Sequence, residues 1–110
     1  MFPAPFEYRR AASVDEALAL LAGFGGDGRV LAGGQSLIPA MRYRLARPSA
    51  LVDINPIGEL SYVRDRDGAL AVGACARDAM LERMPSLASS YALIADAARV
   101  VADRVVRQMG

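Results

Sequence analysis

Few side chains in this sequence are equipped for chemistry, and two glycine clusters stand out among them. Gly23, Gly25 and Gly28 meet the G-x-G-x-x-G spacing, and Ala32-Gly33-Gly34-Gln35-Ser36 forms a tighter second cluster. A glycine loop holds an anion when it follows a strand and opens a helix, because the first helical N–H groups lack partners. The first cluster has the reverse order, ending a helix and preceding a strand, so it reads as a helix stop and a surface turn. The second follows the short apolar run Arg29-Val30-Leu31-Ala32 and opens a segment from Leu37 to Leu45 that can coil. Gly33 and Gly34 would let the backbone approach a pyrophosphate and take φ > 0, while Ser36 could cap the helix and donate to a phosphate oxygen. On spacing alone, an ordinary tight turn is an equal reading.

The remaining candidates have plainer explanations. Asp15 and Glu16 read as charge compensating the dipole of a helix first turn, and Asp65 with Asp67 as a solvated turn. Cys75, beside the end of an apolar strand, reads as a small buried residue. Asp53 ends a strand near the glycine loop, where it could touch a ribose or, the favoured reading, a turn amide.

Several mechanisms drop out by composition. The chain has no His, Lys, Thr or Trp, and all 13 basic residues are Arg. There is therefore no Ser-His or Cys-His nucleophile, no imidazole metal ligand, no Schiff-base lysine and no Walker lysine. A single cysteine excludes an internal disulfide, an iron–sulfur cluster or a structural zinc site, so any metal is expected on a partner. The arginines are scattered and the net charge is +1, which gives no basic stripe of the kind that tracks nucleic acid.

These residues must be positioned by a small core. At 110 residues, 54% apolar and 23% charged, the chain should fold as one small domain or part of a larger one. Ser13-Val14-Asp15-Glu16 is a capping box, and Val14, Ala17, Leu18 and Leu21 form an apolar stripe, predicting a helix over 14 to 23. With strands near 29 to 32 and 51 to 54 and a helix over 37 to 45, the pattern to residue 55 is strand, helix, strand, helix, strand, which favours a small parallel sheet. After residue 56 the pattern changes to a hairpin, 60 to 64 and 69 to 74 around Asp67-Gly68, followed by helices at about 77 to 83 and 91 to 102. In the last helix Leu93, Ala97, Val100 and Val101 are expected to make the buried stripe. No strand follows to complete the second sheet, so the second half is expected to be incomplete. The prolines and acid near the N-terminus do not suit a signal peptide, and the longest apolar run, Ala17 to Ala22, is far below the ~20 residues of a membrane span. A soluble, cytoplasmic protein is expected.

The segments Pro3-Ala-Pro-Phe-Glu-Tyr, Ser13-Val-Asp-Glu-Ala-Leu-Ala-Leu-Leu, Leu31-Ala-Gly-Gly-Gln-Ser-Leu-Ile-Pro, Leu45-Ala-Arg-Pro and Leu51-Val-Asp-Ile-Asn are identifying. Together they resemble the FAD-binding medium subunit of molybdenum hydroxylases, of the carbon monoxide dehydrogenase and xanthine dehydrogenase type. The resemblance runs in register from residue 3 to residue 110. It implies an α+β, PCMH-type FAD-binding fold, with a parallel βαβαβ first lobe over 1–55 and the start of an antiparallel α+β second lobe over 56–110. It implies FAD as cofactor and Ala32, Gly33, Gly34, Gln35, Ser36 and Leu37 as the first pyrophosphate-binding loop, with no catalytic residue in the chain. It further implies a molybdopterin-binding large subunit and an iron–sulfur small subunit as partners, electrons passing from the clusters through FAD to an acceptor. Ala76 stands where such proteins commonly have Thr, and Asp78 where they often have His. The chain stops where the family continues into a second glycine-rich flavin loop, so it is expected to supply only part of the flavin's donors.

Overall fold

The computed structural model describes residues 1–110, the side chain of residue 88 excepted. Its contacts divide the chain into two units, Met1–Gly58 and Glu59–Gly110, where the sequence suggested a division after residue 55.

In the first unit, strands β1 (Glu7–Arg10), β2 (Gly28–Leu31) and β3 (Ala50–Asp53) form a parallel sheet in the order β1-β3-β2. Every residue of β3 is buried, as a central parallel strand requires and as the run Ala-Leu-Val suggests. The registers set Arg10 and Leu31 on either side of Asp53, so the three strands finish at one level. Because side chains alternate along a strand, Tyr8, Leu31, Leu51 and Asp53 share one face of the sheet.

Helix α1 (Val14–Phe24) connects β1 to β2. The Glu16 amide donates to Ser13 Oγ at 3.1 Å, the expected cap. Its inward line is Val14, Ala17, Leu21 and Phe24, whereas Leu18, expected within the stripe, is 60% exposed. Leu18 lies about 100° around the helix from Ala17, which turns it to solvent. Gly25, at φ +63, ends the helix. Helix α2 (Leu37–Arg42) is three residues shorter than expected. Arg44 enters the left-handed region at φ +57, and the amides of Arg44 and Leu45 turn back to the carbonyls of Met41 and Ala40.

In the second unit, β4 (Val63–Arg66) and β5 (Ala69–Val72) pair antiparallel around Asp67 and Gly68, at φ +52 and +80. Two positive φ angles in a two-residue loop are the type I′ geometry that Asp-Gly encodes. Beyond the strands the pairing continues, with Gly73 N–H donating to Tyr62 O at 2.8 Å and Cys75 N–H to Leu60 O at 2.9 Å. Cys75 is buried, as expected.

Three helices follow rather than two: α3 (Asp78–Arg83), α4 (Pro85–Ser90) and α5 (Ala92–Val100). The helix expected over 77 to 83 ends before Pro85, and Pro85 itself occupies the first position of α4, where its missing N–H costs nothing. The expected stripe of α5 is overturned. Ala95 and Ala98 face inward, while Leu93 and Val100 are 83% and 78% exposed, because close helix approach selects the small side chains. Arg107 is buried, donating to Glu82 Oε2 at 3.2 Å and to Val101 O at 2.8 Å.

Candidate functional site

Residues Ala32 to Leu37 leave the carboxyl end of β2 and enter α2, at the edge where ligands bind in open parallel sheets. Gly34 takes φ +78, a conformation that L side chains rarely adopt, so the glycine here is required by the backbone. The first helical bond runs from Ile38 N–H to Gly34 O at 3.0 Å. Helix geometry therefore leaves the amides of Gln35, Ser36 and Leu37 without an intrahelical acceptor. Gln35 and Ser36 are exposed, and Gln35 Nε2 reaches Gly33 O at 3.5 Å.

Two expectations about this loop need correction. Ser36 occupies the N-cap position but makes no side-chain capping bond, since its backbone is already in the α region (φ −108°, ψ −42°). Ser36 is itself exposed. The space beside Gly34 Cα also has a different occupant from the one expected. A Cβ there would come within 2.8 Å of Ile38 Cδ1 and 3.2 Å of Leu31 Cδ1, so this side of Gly34 meets apolar packing rather than open space for a phosphate. Leu31 and Ile38 also border an apolar cavity of about 250 Å³ under α2, walled besides by Phe6, Tyr8, Met41 and Leu51. With scarcely a polar atom in its wall, the cavity offers nothing to an anion. The groups of the loop that could serve an anion are its amides and the Ser36 hydroxyl.

Behind the loop lies a polar network that sequence reasoning caught only in part. Asn55 Nδ2 donates to Ala32 O at 2.7 Å and to Asp53 Oδ1 at 2.8 Å, and the Asn55 amide donates to the same Oδ1 at 2.9 Å. The Tyr8 hydroxyl donates to Asp53 Oδ2. Asp53 thus meets a turn amide, as favoured, together with the side chains of Asn55 itself and of Tyr8 on β1. Burial works against its ionised form, but the bonds from Tyr8 and Asn55 and the charge of Arg10 outweigh it and hold the carboxyl below its ordinary value. The hydrogen bond to Asp53 likewise pushes the Tyr8 hydroxyl up. No acidic side chain belongs to the loop itself, and both oxygens of the nearby Asp53 are engaged.

The donor set is therefore backbone amides and one hydroxyl, which suits a phosphate or pyrophosphate and no metal. Helix α2 is only six residues long, so the donors themselves, rather than a long helix dipole, must carry the attraction. Gly23, Gly25 and Gly28 lie at the end of α1 and in the turn into β2, as expected of a helix stop.

A parallel βαβαβ unit with such a loop after its second strand, followed by an antiparallel hairpin unit, defines a class of nucleotide-binding fold, and comparison with known proteins shows which one. Residues 4–110 match the family model of the FAD binding domain in molybdopterin dehydrogenase, and the chain belongs to that family, whose cofactor is FAD. It is 42% identical over its whole length to the carbon monoxide dehydrogenase medium chain of Hydrogenophaga pseudoflava, covering 38% of that protein. It is 40% identical over its whole length to 6-hydroxypseudooxynicotine dehydrogenase complex subunit alpha of Paenarthrobacter nicotinovorans, covering 37% of it. A chain of the reconstituted CO dehydrogenase from Oligotropha carboxidovorans superposes with a TM-score of 0.95 at 40% identity, all of this chain covering 38% of that one. The chain thus spans well under half the length of these relatives, which are subunits of dehydrogenases. Among the described residues, no helix is long and apolar enough to cross a membrane.

Proposed function

We propose that this chain is the N-terminal part of the FAD-binding subunit of a molybdenum hydroxylase, with Ala32, Gly33, Gly34, Gln35, Ser36 and Leu37 as its first pyrophosphate-binding loop. The observation that carries this reading is the left-handed Gly34 at the carboxyl edge of the parallel sheet, in a chain matched along residues 4–110 to an FAD-binding family. The amides of Gln35, Ser36 and Leu37 and the Ser36 hydroxyl would hold the phosphates. Leu31 and Ile38 pack behind Gly34 and keep the loop on the sheet. Bound there, FAD would supply the electron-carrying chemistry between iron–sulfur clusters on a small partner subunit and an acceptor, downstream of a molybdopterin-binding large subunit. The chain's own share is binding and orientation, in keeping with a sequence that has no His and no Lys. A cytoplasmic location goes with this reading, as do the two lobes, assigned to the units 1–58 and 59–110.

The test is an equilibrium titration of the chain with FAD, followed by quenching of flavin fluorescence. Saturable binding that ADP competes away and riboflavin does not is the expected result. Binding displaced by riboflavin alone would move the site off this loop, and no saturable binding at millimolar ligand would favour a flavin-free module that only associates with partners.

A further inference from the structure

The peptide joining Ala32 to Gly33 is the first of the glycine loop, and its carbonyl is held from outside the loop. Asn55 Nδ2 donates to Ala32 O at 2.7 Å across 23 residues of sequence. The same carboxamide is fixed in turn, since it and the Asn55 amide both donate to Asp53 Oδ1. Asp53 is clamped on its other oxygen by Tyr8 from β1 and is only 8% exposed. The chain has no cis peptide, and in a planar trans peptide the C=O and N–H point in opposite directions. Fixing Ala32 O therefore fixes the direction of the Gly33 N–H.

We propose that Asn55 is a positioning residue for the cofactor loop: held by Asp53 and Tyr8, it sets the Ala32–Gly33 peptide plane and so aims the Gly33 amide at the pyrophosphate. The inference rests on the reading of Ala32 to Leu37 as a phosphate loop and adds the group that preorganises it. The three strands end at one level around Asp53, which lets one carboxylate brace a residue from β1 and one from the turn after β3. A strand-end turn in which Asn55 capped only its own backbone would need the bond to Asp53 and none to Ala32. A preformed loop spares the ordering cost that a mobile one meets on binding its ligand.

The experiment is an amide NMR titration of the ¹⁵N-labelled 110-residue chain with ADP, on the wild type, Asn55→Ala and Tyr8→Phe. In the wild type the amides of residues 33–37 should shift with ADP. In Asn55→Ala the free Gly33 amide should change shift and relax as a more mobile group while those of Val30 and Val52 hold still, which a general loss of stability would not produce. Its ADP dissociation constant should rise roughly three- to tenfold, the effect of one neutral hydrogen bond no longer holding a donor. Tyr8→Phe should weaken ADP in the same direction by roughly twofold, and it carries the test alone if Asn55→Ala does not fold. If the wild-type amides 33–37 ignore ADP, the phosphate-loop reading falls and this inference with it. If they respond and both variants bind as the wild type does, the inference alone falls.

Discussion

Three glycines of the first unit make a graded experiment on what the loop demands of residue 34. Gly23 lies in α1 with an ordinary φ and nothing within 4 Å of an added Cβ. Gly25 has φ +63 and equally open surroundings. Gly34 has φ +78, and its Cβ would meet Ile38 Cδ1 at 2.8 Å and Leu31 Cδ1 at 3.2 Å. Substituting each by Ala probes a helical position, an open positive-φ position and a crowded positive-φ position in turn. Gly23→Ala should stabilise by about 0.5 kcal/mol, because Ala gives up less chain entropy in a helix. Gly25→Ala should cost about 1–3 kcal/mol, because φ +63 with ψ −146 is a region that only glycine occupies readily. Gly34→Ala costs about 1–2 kcal/mol for its positive φ and also displaces Ile38. Since Ile38 is 45% exposed and the clash is with the tip of its side chain, it can swing aside for about 0.5–1.5 kcal/mol of rotamer strain. The expected total is about 2 kcal/mol or somewhat more, a fall in Tm of roughly 8–16 °C for a domain of this size. Thermal unfolding followed by circular dichroism at 222 nm reads all three. A Gly34→Ala chain that melts with the wild type would refute the assignment of a constrained backbone at residue 34. At temperatures where the variant is folded, its FAD titration then reports whether loop geometry, separately from stability, governs the affinity.

The other expectations concern single contacts. Ser13→Ala should lower stability by about 1 kcal/mol through loss of the bond from the Glu16 amide, with FAD affinity unchanged below the melting range. Asp53→Asn should melt lower than the wild type at pH 7. Because the folded Asp53 carboxyl titrates below its ordinary value, its contribution is complete above roughly pH 3.9 and is lost as pH falls through the lowered value. Melting temperatures of the two chains should therefore converge toward pH 2, and a gap unchanged by acid would contradict the network. Gly73→Ala would place a Cβ 2.1 Å from Leu60 O, a backbone atom that cannot swing away. It should cost about 3 kcal/mol or more, and a melt within 2 °C of the wild type would show that the strand pairing there is wrongly placed.

Local signals that act through the backbone were legible in the sequence. The Ser13 cap, the Asp67-Gly68 turn and the left-handed Gly34 each follow from conformations that few residues favour, and each holds in the structure. The strand expected near 51 to 54 was legible for a related reason, since a short apolar run with a turn after it is too brief for a helix, and it is β3, one residue earlier. What failed was periodicity in the second unit. Leu93, Ala97, Val100 and Val101 form a proper helical stripe, yet Ala95 and Ala98 are the residues buried. Hydrophobicity alone cannot say which stripe meets a neighbour when closely packed helices prefer alanine at the contact. Helix α4 was not legible for another reason, because Pro85 lies just past the end of one helix and in the first turn of the next.

The site shows the same division between what neighbours in sequence decide and what the sheet decides. Ala32 to Leu37 is contiguous, and strand, glycines and helix together mark where an anion could be held. Tyr8, Asp53 and Asn55 are distributed over 48 positions and converge only because the parallel order β1-β3-β2 brings three strand ends to one level. Asp53-Ile54-Asn55 alone reads as a strand end and a turn, and so it is, with the Asn55 amide on Asp53 Oδ1. The bond that matters to the loop depends on β2 lying beside β3, where Ile54 N–H donates to Leu31 O at 3.0 Å and the next residue faces Ala32. A short polar side chain after the central strand can then reach the carbonyl that begins the loop. In this fold the sequence of the loop determines which donors are offered, and the topology of the sheet determines how firmly they are aimed.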